Sequence, residues 1–267
     1  MPLSDDQLRK ELSKYHQPIP AVERPLFLRM LLYGTWGVGK TLLSCRIGSN
    51  PLLMVTEPSD DTLRDWPEIA ARVDVVEYGG INHLRMIGQG IQAGIYKNDT
   101  LIVDTASELI EEQLDFIKLH WKSPKETRPK FQGKSAGTPD IEVSGTDDYR
   151  LVRDGLRPVI KELCQLPINL IFTSHERDVT WSDEKKLKDD GTPLPPYRPD
   201  LPSQTLKLIA KRVSVVGRMT RQGNNRTLSF TTDNRLKEEV KSRIKELDGR
   251  RMTDEEFITA VNNWRER

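Results

Sequence analysis

The chain has 267 residues, of which 36% are hydrophobic and 30% charged, with 41 Lys and Arg set against 40 Asp and Glu. That length buries a sizeable core in one large domain or a domain with appendages, and that balance gives a heavily charged surface. No run of eighteen apolar residues occurs, which excludes a helical membrane span and any membrane partner built on one, and the opening MPLSDDQLRKELSKYH is too polar for a secretory signal.

Residues 4–7 (SDDQ) have the form of a capping box, and Leu8, Leu12 and Tyr15 follow at helical spacing. Pro18, Pro20 and Pro25 then impose an extended lead-in. Residues 27–33 (FLRMLLY) read as the first core strand, 41–47 as a helix ending near Gly48, and 51–56 (PLLMVT) as a second strand. A helix is expected over 61–72 despite Pro67, a strand over 73–78, a helix over 83–96 and a short buried strand over 100–103. After a helix over 108–121, residues 122–146 lack periodicity and read as a mobile loop. A helix over 148–166 and a core strand over 168–173 (INLIFT) follow. Residues 176–205, with five prolines, read as a second long polar loop. Residues 207–220 and 226–231 are expected to be two strands joined by a turn at 222–225 (QGNN). An amphipathic helix is expected over 237–247, and residues 253–256 (TDEE) cap a last one that shows Phe257, Val261 and Trp264 on one face. Alternating apolar runs and helical stretches predict an α/β fold with a mostly parallel central sheet flanked by helices, followed by C-terminal strands and helices. Cys45 and Cys164 sit in apolar segments without metal-ligand spacing and read as buried thiols of a reducing compartment.

Residues 34–41 (GTWGVGKT) match the phosphate-binding pattern G-x-x-x-x-G-K-[ST] completely, between an apolar strand and a helix. Its glycines let backbone N–H groups curl around phosphate oxygens, and the following helix points its positive end at the same anion. Gly34, Thr35, Trp36, Gly37, Val38, Gly39, Lys40, Thr41 and Leu42 are therefore the expected nucleotide-binding residues. Lys40 supplies the mobile charge, and the Thr41 hydroxyl a ligand for Mg²⁺. The second magnesium ligand is Asp104, at the tip of the strand over 100–103, where the bland alternative is an acid that opens a turn. Glu57, just past the second strand, is the candidate base for orienting water, with Glu108 and Asp60 in reserve. His175 ends a core strand beside a long loop; it reads either as a γ-phosphate sensor or as a hydrogen-bonded structural residue. Basic charge concentrates in two places. Residues 122–134 hold five Lys/Arg against one acid, and residues 207–251 hold thirteen against five.

These motifs resemble the RecA-type branch of P-loop ATPases, in which a glutamate follows the second strand as at 54–57 (MVTE), a small hydroxyl residue follows the magnesium aspartate as at Asp104-Thr105, and a strand ends in a polar sensor as at 173–175 (TSH). The nearest likeness is to the short phage-encoded RecA-core ATPases grouped with single-strand annealing proteins, with His175-Glu176 as a matching pair. It spans roughly residues 26–235, flanked by an N-terminal helix and lead-in (1–25) and a helical tail (236–267). The resemblance implies an ATP- and Mg²⁺-dependent ATPase of the cytoplasm (the host cytoplasm, if phage-encoded). It implies a homo-oligomeric ring or filament on single-stranded DNA, contact with a single-strand DNA-binding protein, and a role in recombination or annealing. It also implies a basic residue reaching a neighbour's γ-phosphate, for which Lys211, Arg212, Arg218 and Arg235 are candidates. Between the two loops, 122–134, flanked by Trp121 and containing Phe131, is the better expected DNA contact, because 176–205 holds seven acids against five basic residues and only Trp181 and Tyr197 for stacking. A helicase-loading ATPase and, from another class, a small-molecule kinase are the competing readings.

Overall fold

Short apolar runs such as LLY, LLMV, LIV and LIF cannot alternate inside and outside, so they make strands only where both sheet faces are covered. The computed structural model describes residue 23 and residues 25–120, 130–131, 141–142, 146–177, 197–231 and 240–267. The helix expected near residues 4–15, most of 122–146, the middle of 176–205, Trp181 and Arg235 lie outside them. The elements run β1 (Arg29–Gly34), α1 (Lys40–Cys45), β2 (Pro51–Val55), a 3-10 turn (Asp60–Asp65), α2 (Pro67–Ala70), β3 (Asp74–Glu77), α3 (Ile81–Gln92), β4 (Thr100–Asp104) and α4 (Ala106–His120). Two short strands follow, β5 (Lys130–Phe131) and β6 (Ile141–Glu142), then α5 (Thr146–Leu163), β7 (Asn169–His175), α6 (Ser203–Ala210), β8 (Val215–Gln222), β9 (Asn225–Ser229), β10 (Lys241–Ser242), β11 (Arg251–Met252) and α7 (Asp254–Arg265).

The main sheet has the order β11-β9-β8-β1-β7-β4-β2-β3, with β10 also paired to β8. The run from β8 to β3 is parallel, while β9, β10 and β11 add antiparallel pairs at one edge. This is the expected α/β architecture. Successive strand residues feed opposite layers: Leu31, Tyr33, Met54, Val103 and Phe172 join a core under α3, α4, α5 and α6. Met30, Leu32, Leu53, Ile102 and Ile171 join one under α1, α2 and α7.

Three expected elements differ. The single helix over 61–72 is a 3-10 turn and a four-residue helix broken at Trp66 (φ −132, ψ 66), because the residue before Pro67 is sterically pushed out of the α region. The long strand over 207–220 begins instead as α6, which buries Thr205, Leu208 and Ile209 at helical spacing, and becomes a strand only from Val215. Of the helix expected over 237–247, the described part is β10 followed by turns; Ile244 and Leu247, at 2% and 0% exposure, enter the α7-side core from those turns. The hairpin turn at 222–225 lies where the sequence put it, with Gln222 paired to Asn225 and Gly223 at φ 60. Within the largely aperiodic 122–146 segment, β5 and β6 pair antiparallel.

Candidate nucleotide-binding site

The loop from Gly34 to Gly39 joins β1 to the first turn of α1, so its backbone amides open at the C-terminal edge of the parallel strands. Gly39 sits at φ 101 as the residue before the helix, a conformation that side-chain-bearing residues resist. A Cβ there would also lie 2.6 Å from the Arg226 guanidinium. Lys40 is 6% exposed. Its Nζ donates to the carbonyls of Gly34 and Thr35, each at 3.0 Å. Burial lowers its pKa, opposed by the negative charges of Asp104, Glu57 and Glu176. An ammonium held this way can donate to a phosphate oxygen.

Strand order explains how Asp104 gets there. β7 lies between β1 and β4, yet Thr41 Oγ1 donates to Asp104 Oδ2 at 2.8 Å, since α1 leans across the intervening strand. Thr173, on that strand, donates to Asp104 Oδ1 and fixes the carboxylate from the other side. Thr41 and Asp104 thus present a hydroxyl and a carboxylate together beside Lys40. These are hard oxygen donors of the type magnesium takes, and they fit the ion.

Glu57, His175 and Glu108 converge on the same mouth, with one ligand-type atom from each lying within 4.8 Å of the others. His175 Nε2 is 3.1 Å from Glu57 Oε1; a carboxylate only accepts, so Nε2 carries the proton. His175 Nδ1 is buried with no partner among the described residues, and the Trp36 ring lies tilted against the imidazole, its centroid 5.1 Å away. The end of β7 is tied down by His175 N donating to Ser107 Oγ at 3.1 Å and by a Ser107–Ser174 hydroxyl contact of 3.0 Å. Thr56 Oγ1 accepts from Thr105 N at 2.7 Å and donates to Thr105 O at 3.0 Å, stitching the ends of β2 and β4. A cavity of about 330 Å³ is lined by Trp36, Gly37, Gly39, Lys40, Thr41, Glu57, Asp104 and His175, among others. Asp60, the other reserve acid, lies on the 3-10 turn behind Glu57.

A second cavity, about 900 Å³, has Leu42 of α1, its C-cap Arg46, Trp66, Asn224, Arg226 and Asp254 in its walls. Arg226 Nη1 pairs with Asp254 Oδ2 at 3.3 Å, and burial raises the Asp254 pKa. No site role for Trp66, Arg226 or Asp254 was legible in the sequence, and Thr173 entered only as part of the 173–175 strand end. Only the fold brings the β8–β9 hairpin and the start of α7 against α1, or slips β7 beside β4.

The basic candidates for a neighbour's γ-phosphate separate. Arg218 forms a two-pronged pair with Glu176 at 2.7 and 2.9 Å and lies over the Tyr197 ring at 3.8 Å, so its charge is engaged within its own chain. Arg212 donates to Leu208 O at 3.0 Å and, with Lys211, faces a groove on α5 and α6. Among the described residues, no helix is long and apolar enough to cross a membrane.

No curated protein matches the chain. Residues 26–243, however, match the family described as an AAA domain, a span that begins just before β1 and takes in the phosphate loop, Asp104, Glu57 and His175. With that loop at the mouth of a parallel sheet and most of its length inside the match, the chain belongs to the AAA domain family of P-loop ATPases.

Proposed function

We propose that the protein binds ATP with magnesium on the 34–41 loop, hydrolyses it with Glu57 as the base, and couples turnover to single-stranded DNA. The observation that carries the chemistry is the convergence of Lys40, the Thr41–Asp104 pair and Glu57 on one cavity. Backbone N–H groups of the loop and the start of α1 hold the phosphates. Thr41 and Asp104 would hold magnesium, whose contribution is to neutralise charge on the terminal phosphates. Glu57 takes a proton from water as the water oxygen bonds to the γ-phosphorus and the bond to the β-phosphate oxygen breaks. Lys40 balances the charge that builds on the phosphoryl oxygens. His175 orients the Glu57 carboxylate through Nε2, which makes it a positioning residue for the base. The nucleobase fits the second cavity, where the partly exposed Trp66 ring offers a stacking face next to α1.

The DNA reading rests on the resemblance to phage-type recombination ATPases and on where the long segments leave the fold. Residues 178–196 depart from and return to the chain beside His175 and Glu176, which pairs with Pro199. Residues 121–145 follow α4, whose first turn carries Glu108. A polyanion reaching the ends of the first segment, at Arg177 and Tyr197, would act on His175 and through it on Glu57; the second segment leaves from the end of α4 opposite Glu108. A homo-oligomer and a single-strand DNA-binding protein belong to the same reading, as does phage recombination or annealing. ATP turnover measured with and without oligo-dT, alongside particle size, tests it. Stimulation by DNA with growth in particle size is expected; turnover indifferent to DNA but dependent on a small acceptor would replace this reading with a kinase.

A further inference from the structure

On the face opposite α1, helices α5 and α6 frame an open trough of about 620 Å³. Its walls carry Arg153, Arg157, Lys207, Lys211 and Arg212, and among the described residues no acidic one lines it. Arg153 and Arg157 are four apart on α5, and Lys207 and Lys211 four apart on α6 and its C-cap. Residues so spaced share a helix face about 6 Å apart along the axis. Like charges in that relation repel, and an anion lying between the two rows relieves the repulsion. Arg153 donates to Gln204 and pairs with Asp154 at 2.7 Å, and Arg212 donates to Leu208 O. Arg157, Lys207 and Lys211 are exposed.

We infer that this trough holds the phosphate backbone of single-stranded DNA, a contact made by α5 and α6 themselves. The inference rests on the DNA reading above. Two rows of cations match a ligand that repeats its negative charges along a line. Among the described residues Leu208 is the one apolar side chain in the lining and no aromatic is present, so an acidic protein would find no buried anchor there, and bases would find no stacking platform. The contact is therefore to backbone and is indifferent to sequence. It also has a route to the site: α6 starts just after Asp200, whose N donates to His175 O at 2.8 Å.

The test is anisotropy of labelled oligo-dT and oligo-dA against the full chain over a series of salt concentrations, comparing the wild type with Arg157→Gln/Lys207→Gln. Loss of two phosphate contacts flattens the slope of log K against log salt by about 1.4, at about 0.7 per contact for a single strand. Both oligonucleotides are expected to weaken alike, several-fold or more, with ATP affinity unchanged. Arg157→Gln alone should shift the slope by about 0.7, and Arg157→Lys/Lys207→Arg should restore it. Wild-type binding with an unaltered slope in the variants overturns the trough and leaves the DNA reading standing. Absence of DNA binding by the wild type, with ATP turnover intact, overturns the DNA reading and the trough with it. Equal losses for polyglutamate and oligo-dT would reassign the trough to an acidic protein.

Discussion

Lys40 is buried in a place that suits a bound phosphate better than an empty loop. Its ammonium is satisfied by two carbonyls of its own loop, and burial pushes its pKa down. A triphosphate supplies the charge that these neutral acceptors lack. Lys40→Ala should therefore abolish turnover, and with it the rise in melting temperature that ATP gives the wild type. That rise corresponds to about 2.7 kcal/mol at a hundred times the dissociation constant. At Glu57 and His175 the expected losses differ in kind. Glu57→Gln keeps ATP affinity and loses hydrolysis by about a hundredfold or more. His175→Ala lowers kcat with little change in ATP affinity, and His175→Gln, which keeps a donor for Glu57 Oε1, recovers part of it; full turnover in both variants would remove His175 from the mechanism. The cysteines play no part in this chemistry. Burial, first, and the charge of Asp104 push the Cys45 thiol up to about 12, and burial raises Cys164 as well. Native protein at pH 7.5 should take up alkylating reagent slowly at both, and quickly once unfolded.

The last helix shows how elements are fixed. Thr253 caps α7 by accepting from Glu256 N, and the Glu256 side chain accepts from Thr253 N. Thr253→Ala should cost about 1 kcal/mol, read as a fall in melting temperature. Hydrogen bonds from the Thr253 backbone and hydroxyl hold the Glu256 carboxyl below its ordinary value. A carboxyl lowered in the folded state stabilises above its unfolded pKa, near 4.5, and that contribution disappears as pH falls through the folded value. The difference between the wild type and Glu256→Gln should accordingly be present at pH 7 and fade under acid. Further along, Phe257 is fully buried and stacks on Phe230 at 5.5 Å, while Phe230 lies against Gly217 so closely that a Cβ there would sit 2.5 Å from its ring. Phe257→Ala should cost about 3–5 kcal/mol, detectable as a large drop in the denaturant midpoint. The 240–267 segment thus supplies β10, β11 and core side chains as well as a helix.

At the scale of the molecule, catalysis by this arrangement depends on residues more than sixty positions apart meeting at one sheet edge. DNA-stimulated ATP turnover, and its loss in Lys40→Ala, is the measurement that joins site to proposed role. The phosphate loop was legible from residues 34–41 because its chemistry is local: glycines, an ammonium and a hydroxyl at fixed spacing between a strand and a helix. Asp104 and Glu57 were legible as strand-end acids for the same reason, and the parallel α/β class followed from the alternation of apolar runs with helical stretches. The α6 segment misled because Leu206, Leu208 and Ile209 suit a strand as well as a helix, and the 240–247 turns because Ile244 and Leu247 are also helix-spaced. In both, packing against the sheet settled what local preference left open. Only the tertiary structure decided that β7 lies between β1 and β4, which sets Thr173 against Asp104, or that Arg218 is spent on Glu176, Arg226 rests on Gly39, and five cations from two helices share one trough. Those relations are set by which strands and helices become neighbours, and burial of whole faces selects neighbours while spacing along the chain does not.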